Sequence, residues 1–264
     1  METEEILWEV KKEAIRKMIK TGQRPDERKE YEYRPAEVQT NYITRAEGTA
    51  LVKLGETQVL VGVKMDTGEP YPDTPNQGNL ITNAELTPVA DPLFTPGPPG
   101  ETAIELARVV DRGIRESGAI DLEKLCITKG ERIWNVLIDV HPLNNDGNLI
   151  DAAALGAAAA LNTAKIPKYE DGKVIYSERK QNLPVKYAPI AATFAKIADK
   201  NILDPVLAEE KSMDGRLTLT IRDDGHLSAA QKGGTCAYKK DEITELYDIA
   251  VKQTKELRKR VIKK

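Results

Sequence analysis

The sequence predicts a mixed α and β protein in two units, each with strands followed by helices, and three observations carry that reading. At 264 residues the chain exceeds the usual length of a single core, so one large or two modest units are expected. β-branched alternation appears near 48–65 and again beyond 189, and helical spacing follows each time. The chain is 40% hydrophobic with only 2 Phe and 2 Trp, so its core is expected to be aliphatic.

The first element is a helix. Over 4–20, Ile6, Leu7, Val10, Ala14, Met18 and Ile19 recur near helical spacing among Lys and Glu, and Gly22 is available as a stop. So short a helix is marginal alone in water, so it must dock on its own chain or on a neighbour. Residues 48–65 alternate around Gly55, as in Thr49-Ala50-Leu51-Val52-Lys53-Leu54 and Thr57-Gln58-Val59-Leu60-Val61-Gly62-Val63, which predicts a hairpin. Two Pro/Gly-rich loops, 68–78 and 91–100, bracket a short segment at 81–86.

A helix is predicted over 101–117, with Ile104, Leu106, Ala107, Val109, Val110 and Ile114 apolar and Glu101 at its positive dipole end. Arg108, Arg112 and Arg115 share one polar side at i, i+4 and i+7. The near-continuous apolarity of 131–140 predicts a strand buried on both faces. A turn at 144–148 then leads into an alanine-rich helix over 152–164, started and capped by Asp151 and placed centrally because its side chains allow close approach. The charged, poorly periodic stretch 167–181 reads as a linker. Strands are predicted at 189–198, 217–222 and 227–232. A last helix runs from 241 to about 262, with Ile243, Leu246, Ile249, Ala250, Leu257 and Val261 on one side and many lysines on the other.

Composition narrows the function classes. A formal net charge of -3 confines any nucleic-acid site to a local stripe. Cys126 and Cys236 form no CxxC pair, which argues against zinc or a disulfide framework and fits a reducing, cytoplasmic setting. No apolar run reaches the roughly 20 residues of a membrane span, and Glu2, Glu4 and Glu5 open the chain where a secretory signal would be basic. Walker, GxGxxG, GxSxG and HExxH patterns are absent, so His141 and His226 read as strand-end or turn residues.

Three groups could carry chemistry. Asp139, Asp146 and Asp151 could supply a general acid or hold Mg²⁺, although Asp146-Gly147 is also a turn pair. Gly233-Gly234-Thr235 could bring backbone N–H groups to a phosphate or simply connect a strand to the last helix. The three arginines could grip phosphate oxygens, or form a solvated face paired with Glu105, Asp111 and Glu116.

The segment Ile138-Asp139-Val140-His141-Pro142-Leu143-Asn144-Asn145-Asp146-Gly147-Asn148-Leu149-Ile150-Asp151 resembles the core signature of the RNase PH superfamily, in its non-catalytic exosome form. Further resemblances fall in order: Gly22-Gln23-Arg24-Pro25-Asp26-Glu27-Arg28, Glu47-Gly48-Thr49-Ala50, Leu54-Gly55-Glu56-Thr57-Gln58-Val59, and Glu105-Leu106-Ala107-Arg108-Val109-Val110-Asp111-Arg112. The resemblance implies an α+β, RNase PH-like fold of two related units of β-sheet packed with α-helices. It divides the chain into an N-terminal helix and arm (1–30), a first domain (31–168), a linker (169–190) and a second domain with the C-terminal helix (191–264).

It also implies phosphorolysis of RNA from the 3' end, a reaction that needs an anion clamp and an acid. Catalytic relatives open the first long helix with an Arg-Arg pair, where this chain has Glu101-Thr102, and an anion there repels phosphate. Their Gly-Thr/Ser-Arg turn reads Gly147-Asn148-Leu149-Ile150 here, and the position expected for their catalytic Asp reads Asn182, which cannot act as a carboxylic acid. The implied role is therefore an inert subunit alternating with a catalytic paralogue in a ring of three heterodimers, with RNA-binding cap subunits and single-stranded RNA as further partners. Arg108 and Arg112, and with less support Arg115, are then expected to reach RNA phosphates. No cofactor is expected on this subunit, while the complex uses inorganic phosphate and Mg²⁺. The rival expectation is an autonomous phosphate-dependent exoribonuclease using Asp139, Asp146 or Asp151; a metabolic phosphate-binding enzyme is remoter.

Overall fold

The computed structural model describes residues 2–261, with side chains from residue 11 onward. Helix α1 (Glu2–Lys20) opens the chain. Strands β1 (Ala36–Thr40), β2 (Gly48–Leu54), β3 (Thr57–Gly68), β4 (Asn79–Ala84), β5 (Cys126–Thr128) and β6 (Arg132–Asn144) form one six-stranded sheet in the order β1-β2-β3-β6-β4, with β5 also on β6. Helix α2 (Glu101–Arg115) enters between β4 and β5, and α3 (Leu149–Thr163) follows β6. The predicted hairpin is β2–β3, closed at the Leu54–Thr57 pair with Gly55 at φ 58°, a conformation that suits glycine in a two-residue turn. The segment expected at 81–86 is β4, parallel to β6.

Strand β6 departs from its expected burial on both faces. Ile133, Trp134, Val136, Ile138 and Val140 are buried, whereas Asn135, Leu137, Asp139 and His141 are only half-buried. A helix covers one face of the sheet and, among the described residues, no helix covers the other, so a uniformly apolar run still shows a period of two.

The alanine-rich helix is central, as expected. Every residue of α3 from Ile150 to Leu161 is buried, and the helix packs on β2 and β3, on α2, and on β9 (Ile190–Ile197) of a second sheet. Alanine permits that approach, and at Gly156 even a methyl group would stand 2.6 Å from Val61 Cγ2. Asp151 does not cap this helix. Asn148, at φ 55°, is the cap, and its side chain accepts from the Asp151 amide at 3.4 Å. Asparagine tolerates the left-handed region that a β-type cap avoids, so the helix begins three residues earlier than the alanine run suggests.

The stretch read as a linker is itself a hairpin, β7 (Lys165–Glu170) and β8 (Lys173–Asn182). Its register shifts on both sides of Pro167, which erases the alternation that would have disclosed it. The second sheet has the order β10-β9-β11-β12, with β10 (Lys200–Leu203), β11 (Gly215–Ile221) and β12 (Leu227–Gly234). A four-residue helix, α4 (Leu207–Glu210), lies between β10 and β11, and α5 (Lys240–Val261) packs on β9 and β11. The expected end of α5 near Ile262 lies outside the described residues, as do the side chains of Ile6, Leu7 and Val10. Ile15 and Ile19 of α1 are buried with Ala195, Ile197 and Ile202, so the opening helix docks on its own chain's second sheet. Among the described residues no helix is long and apolar enough to cross a membrane.

Candidate functional site

The outer face of α2 carries the three arginines. Leu106, Ala107, Val109, Val110 and Ile114 are buried while Ile104, Arg108, Arg112 and Arg115 are exposed. Arg115 is engaged: it donates to Asp111 at 2.9 Å and to the Leu80 carbonyl at 2.8 Å. Asp111 beside it raises its pKa, against the opposing effect of burial. The guanidinium groups of Arg108 and Arg112 make no hydrogen bond or ion pair with another described residue. Glu105, one of the acids that could have neutralised this face, turns instead to Arg216 Nη2 at 2.6 Å. Two guanidinium forks are thus presented to solvent on successive turns of a rigid helix.

At the starts of α2 and α3 lies a cavity of about 350 Å³. Thr102 and Ile150, two of the positions where the resemblance to catalytic relatives leads a phosphate clamp to be expected, both line it. Leu93, Phe94, Leu149 and Met213 make much of its wall apolar. Glu101 is exposed in the first turn of α2, after Gly100, which gives no side-chain cap. Asn182 does not join them. It is exposed at the end of β8, paired with Lys165 just past the far end of α3, and a helix of 15 residues separates the two ends by roughly 20 Å. The geometry therefore groups Thr102 and Ile150, leaves Glu101 next to Thr102 but off the cavity wall, and leaves Asn182 elsewhere.

The carboxylates also separate. Asp139 is half-buried on the face of β6 turned from α3, and Asp146 pairs with Arg34 at 3.4 Å. Asp151 is buried and accepts from Thr193 Oγ1 at 2.7 Å, the Thr193 amide at 3.0 Å, Asn148 Nδ2 at 2.9 Å and Tyr33 Oη at 3.1 Å. Burial, only partly offset by those hydrogen bonds, pushes Asp151 up to about 7. Among the described residues no group of three or more His, Cys, Asp or Glu could hold a metal ion. The Gly233-Gly234 pair serves packing: a methyl group on Gly234 would stand 2.5 Å from Gly215 Cα.

Residue patterning missed the densest polar network. Arg24 is buried and forks onto Glu209, Nε to Oε1 at 2.8 Å and Nη2 to Oε2 at 2.7 Å. Arg34 forks onto Asp204 at 3.0 and 2.8 Å and also holds the carbonyls of Asp146 and Gly147. Burial would raise Asp204, but Arg34 and Arg28 outweigh it and hold the carboxyl below its ordinary range. These partners lie some 170 to 185 residues apart in the chain, beyond any local periodicity; the one available signal was the clustering of Arg24, Arg28 and Arg34 in an arm without helical or strand pattern.

Comparison with known proteins follows the same lines. Family models described as "3' exoribonuclease family" match residues 32–167 as domain 1 and 187–253 as domain 2. The chain is 50% identical to the exosome complex component Rrp42 of Pyrococcus furiosus, over 99% of this chain and 96% of that one. It is 49% identical to the Rrp42 of Thermococcus kodakarensis, over 98% and 97%. A chain of the Archaeoglobus fulgidus exosome with RNA bound to the active site superposes with a TM-score of 0.91 at 45% identity, covering 97% of this chain and 99% of that one. Rice Rrp46, at 18% identity and a TM-score of 0.66 over 89% of this chain and 97% of its own, shares the fold.

Proposed function

Since the chain belongs to the RNase PH family of 3' exoribonucleases, in its archaeal exosome branch, we propose that it is a non-catalytic ring subunit that binds RNA and structures the active site of its catalytic paralogue. The observation that carries this reading is the cavity at the helix starts. Where phosphorolysis needs converging cations, Thr102 and Ile150 stand beside aliphatic side chains, and Arg216 is already held by Glu105. A phosphate clamp does not fit those residues, so no step through phosphate is assigned to this chain. The phosphate and Mg²⁺ of the reaction belong to the assembled complex, a ring of three heterodimers in the cytoplasm that cap subunits complete.

Arg108 and Arg112 supply this subunit's share of RNA binding. Exposed and uncommitted, they can each take a phosphate oxygen pair, and such contacts position a strand without reading its bases. Arg115, tied to Asp111 and Leu80, contributes less. The test is RNA binding by the assembled complex carrying Arg108→Ala and Arg112→Ala, measured across a salt series. Assembly is expected to be unchanged, affinity to fall, and the slope of log K against log salt to flatten by about 0.7 for each lost single-strand contact. Unchanged affinity and slope would remove these arginines from the RNA path.

A further inference from the structure

The cavity at the helix starts contains the groups that ordinarily attract an anion. Backbone N–H groups at a helix N-terminus, with the dipole behind them, favour negative charge, and a guanidinium adds a fork of donors. Both are present where α3 begins and where Arg216 lines the wall. The amide of the cap residue and the guanidinium are each taken by a carboxylate of the chain. Glu210 Oε1 accepts from the amide of Asn148, the cap of α3, at 3.0 Å, and Glu105 Oε2 lies 2.6 Å from Arg216 Nη2. The cavity's other cation, Lys211, is also engaged within the chain.

These carboxylates are held in place. Glu210 ends α4, which is tied to the turn before α3 by the Leu207 amide donating to the Asp146 carbonyl at 3.0 Å. Neighbouring turn amides are closed off as well: Asp146 N donates to Thr57 Oγ1 at 3.2 Å and Gly147 N to Asn145 Oδ1 at 3.2 Å. Glu105 projects from α2 beside its buried stripe.

We propose that Glu210 and Glu105 act as internal anions, holding the amide at the start of α3 and the Arg216 guanidinium so that inorganic phosphate cannot. The inference rests on the non-catalytic reading and extends it: the site is inert because the cap amide and the Arg216 guanidinium are filled as well as because clamp residues are missing. A phosphate entering the cavity would meet the negative charges of Glu105 and Glu210, which line it, and like charges in a partly dry site repel strongly.

Glu105→Gln and Glu210→Gln, singly and together, remove each charge while keeping shape. Inorganic phosphate is titrated into the full chain by calorimetry and phosphorus NMR, and thermal melts confirm folding. The wild type is expected to show no saturable binding through the millimolar range, and the double variant to bind at least about tenfold more tightly, with the single variants between. If the double variant does not fold, the single variants give the same comparison. Variants that bind no better than wild type would overturn the proposal, and so would a wild type that binds as tightly as they do. Release of nucleoside diphosphate by the wild-type chain is a separate result, and it would defeat the non-catalytic reading.

Discussion

Asp151 joins three segments through one carboxyl group: the arm through Tyr33, the start of α3 through Asn148, and the second sheet through Thr193. Tyr33 Oη also lies 3.2 Å from the Ala191 carbonyl, so a protonated Asp151 can donate to the phenol while the phenol donates onward. Its folded pKa of about 7 stands above the ordinary 3.8. Between those values the folded chain holds a proton that the unfolded chain has lost, so stability falls as pH rises from about 4 to about 7. Asp204 acts oppositely, since its depressed carboxyl contributes stability that is lost only in stronger acid. Melting temperature is therefore expected to decline across pH 5 to 7. Asp151→Asn should flatten that decline while folding, because the amide can donate to Thr193 Oγ1 and accept from the remaining donors. Asp151→Ala should lower stability at every pH by about 1–3 kcal/mol for each buried donor left without an acceptor. An Asp151→Asn protein that keeps the wild-type slope would assign the pH response to another group.

Helix α3 shows where packing overrides propensity. Replacing a helical Gly with Ala ordinarily gains about 1 kcal/mol, but a methyl on Gly156 would meet Val61 Cγ2 at 2.6 Å and Val52 Cγ2 at 3.2 Å, both in the buried core. Overpacking of that kind costs about 1–3 kcal/mol, so Gly156→Ala is expected to lower the denaturant midpoint; a raised midpoint would mean that the sheet yields. The same element shows what was legible. The alanine run disclosed a central helix because only small side chains allow burial all round, and alternation disclosed β2 and β3 because one face meets that helix. The β7–β8 hairpin and the cap at Asn148 stayed hidden, the first because Pro167 shifts the register and the second because its conformation follows from partners distant in sequence. Of the candidate site, the arginine stripe was readable from helical spacing, whereas Asn182 was misplaced because an ordered motif match carries no distance.

At the scale of the whole molecule, α3 lies between two sheets, the arm ties both to it through Arg34 and Asp204, and α1 closes on the second sheet. The surface carries the two uncommitted arginines and, among other exposed apolar side chains, those around the loop before α2, where Val89 is 73% exposed and Leu93 45%. The most direct measurement is nucleoside diphosphate release from a 3'-ended RNA in phosphate and Mg²⁺, by this chain alone, by its catalytic paralogue alone, and by the two mixed. Silence from this chain, with more release from the mixture than from the paralogue alone, is the result predicted for a subunit that completes another's site. Robust release by this chain alone would contradict that account and return the autonomous exoribonuclease in its place.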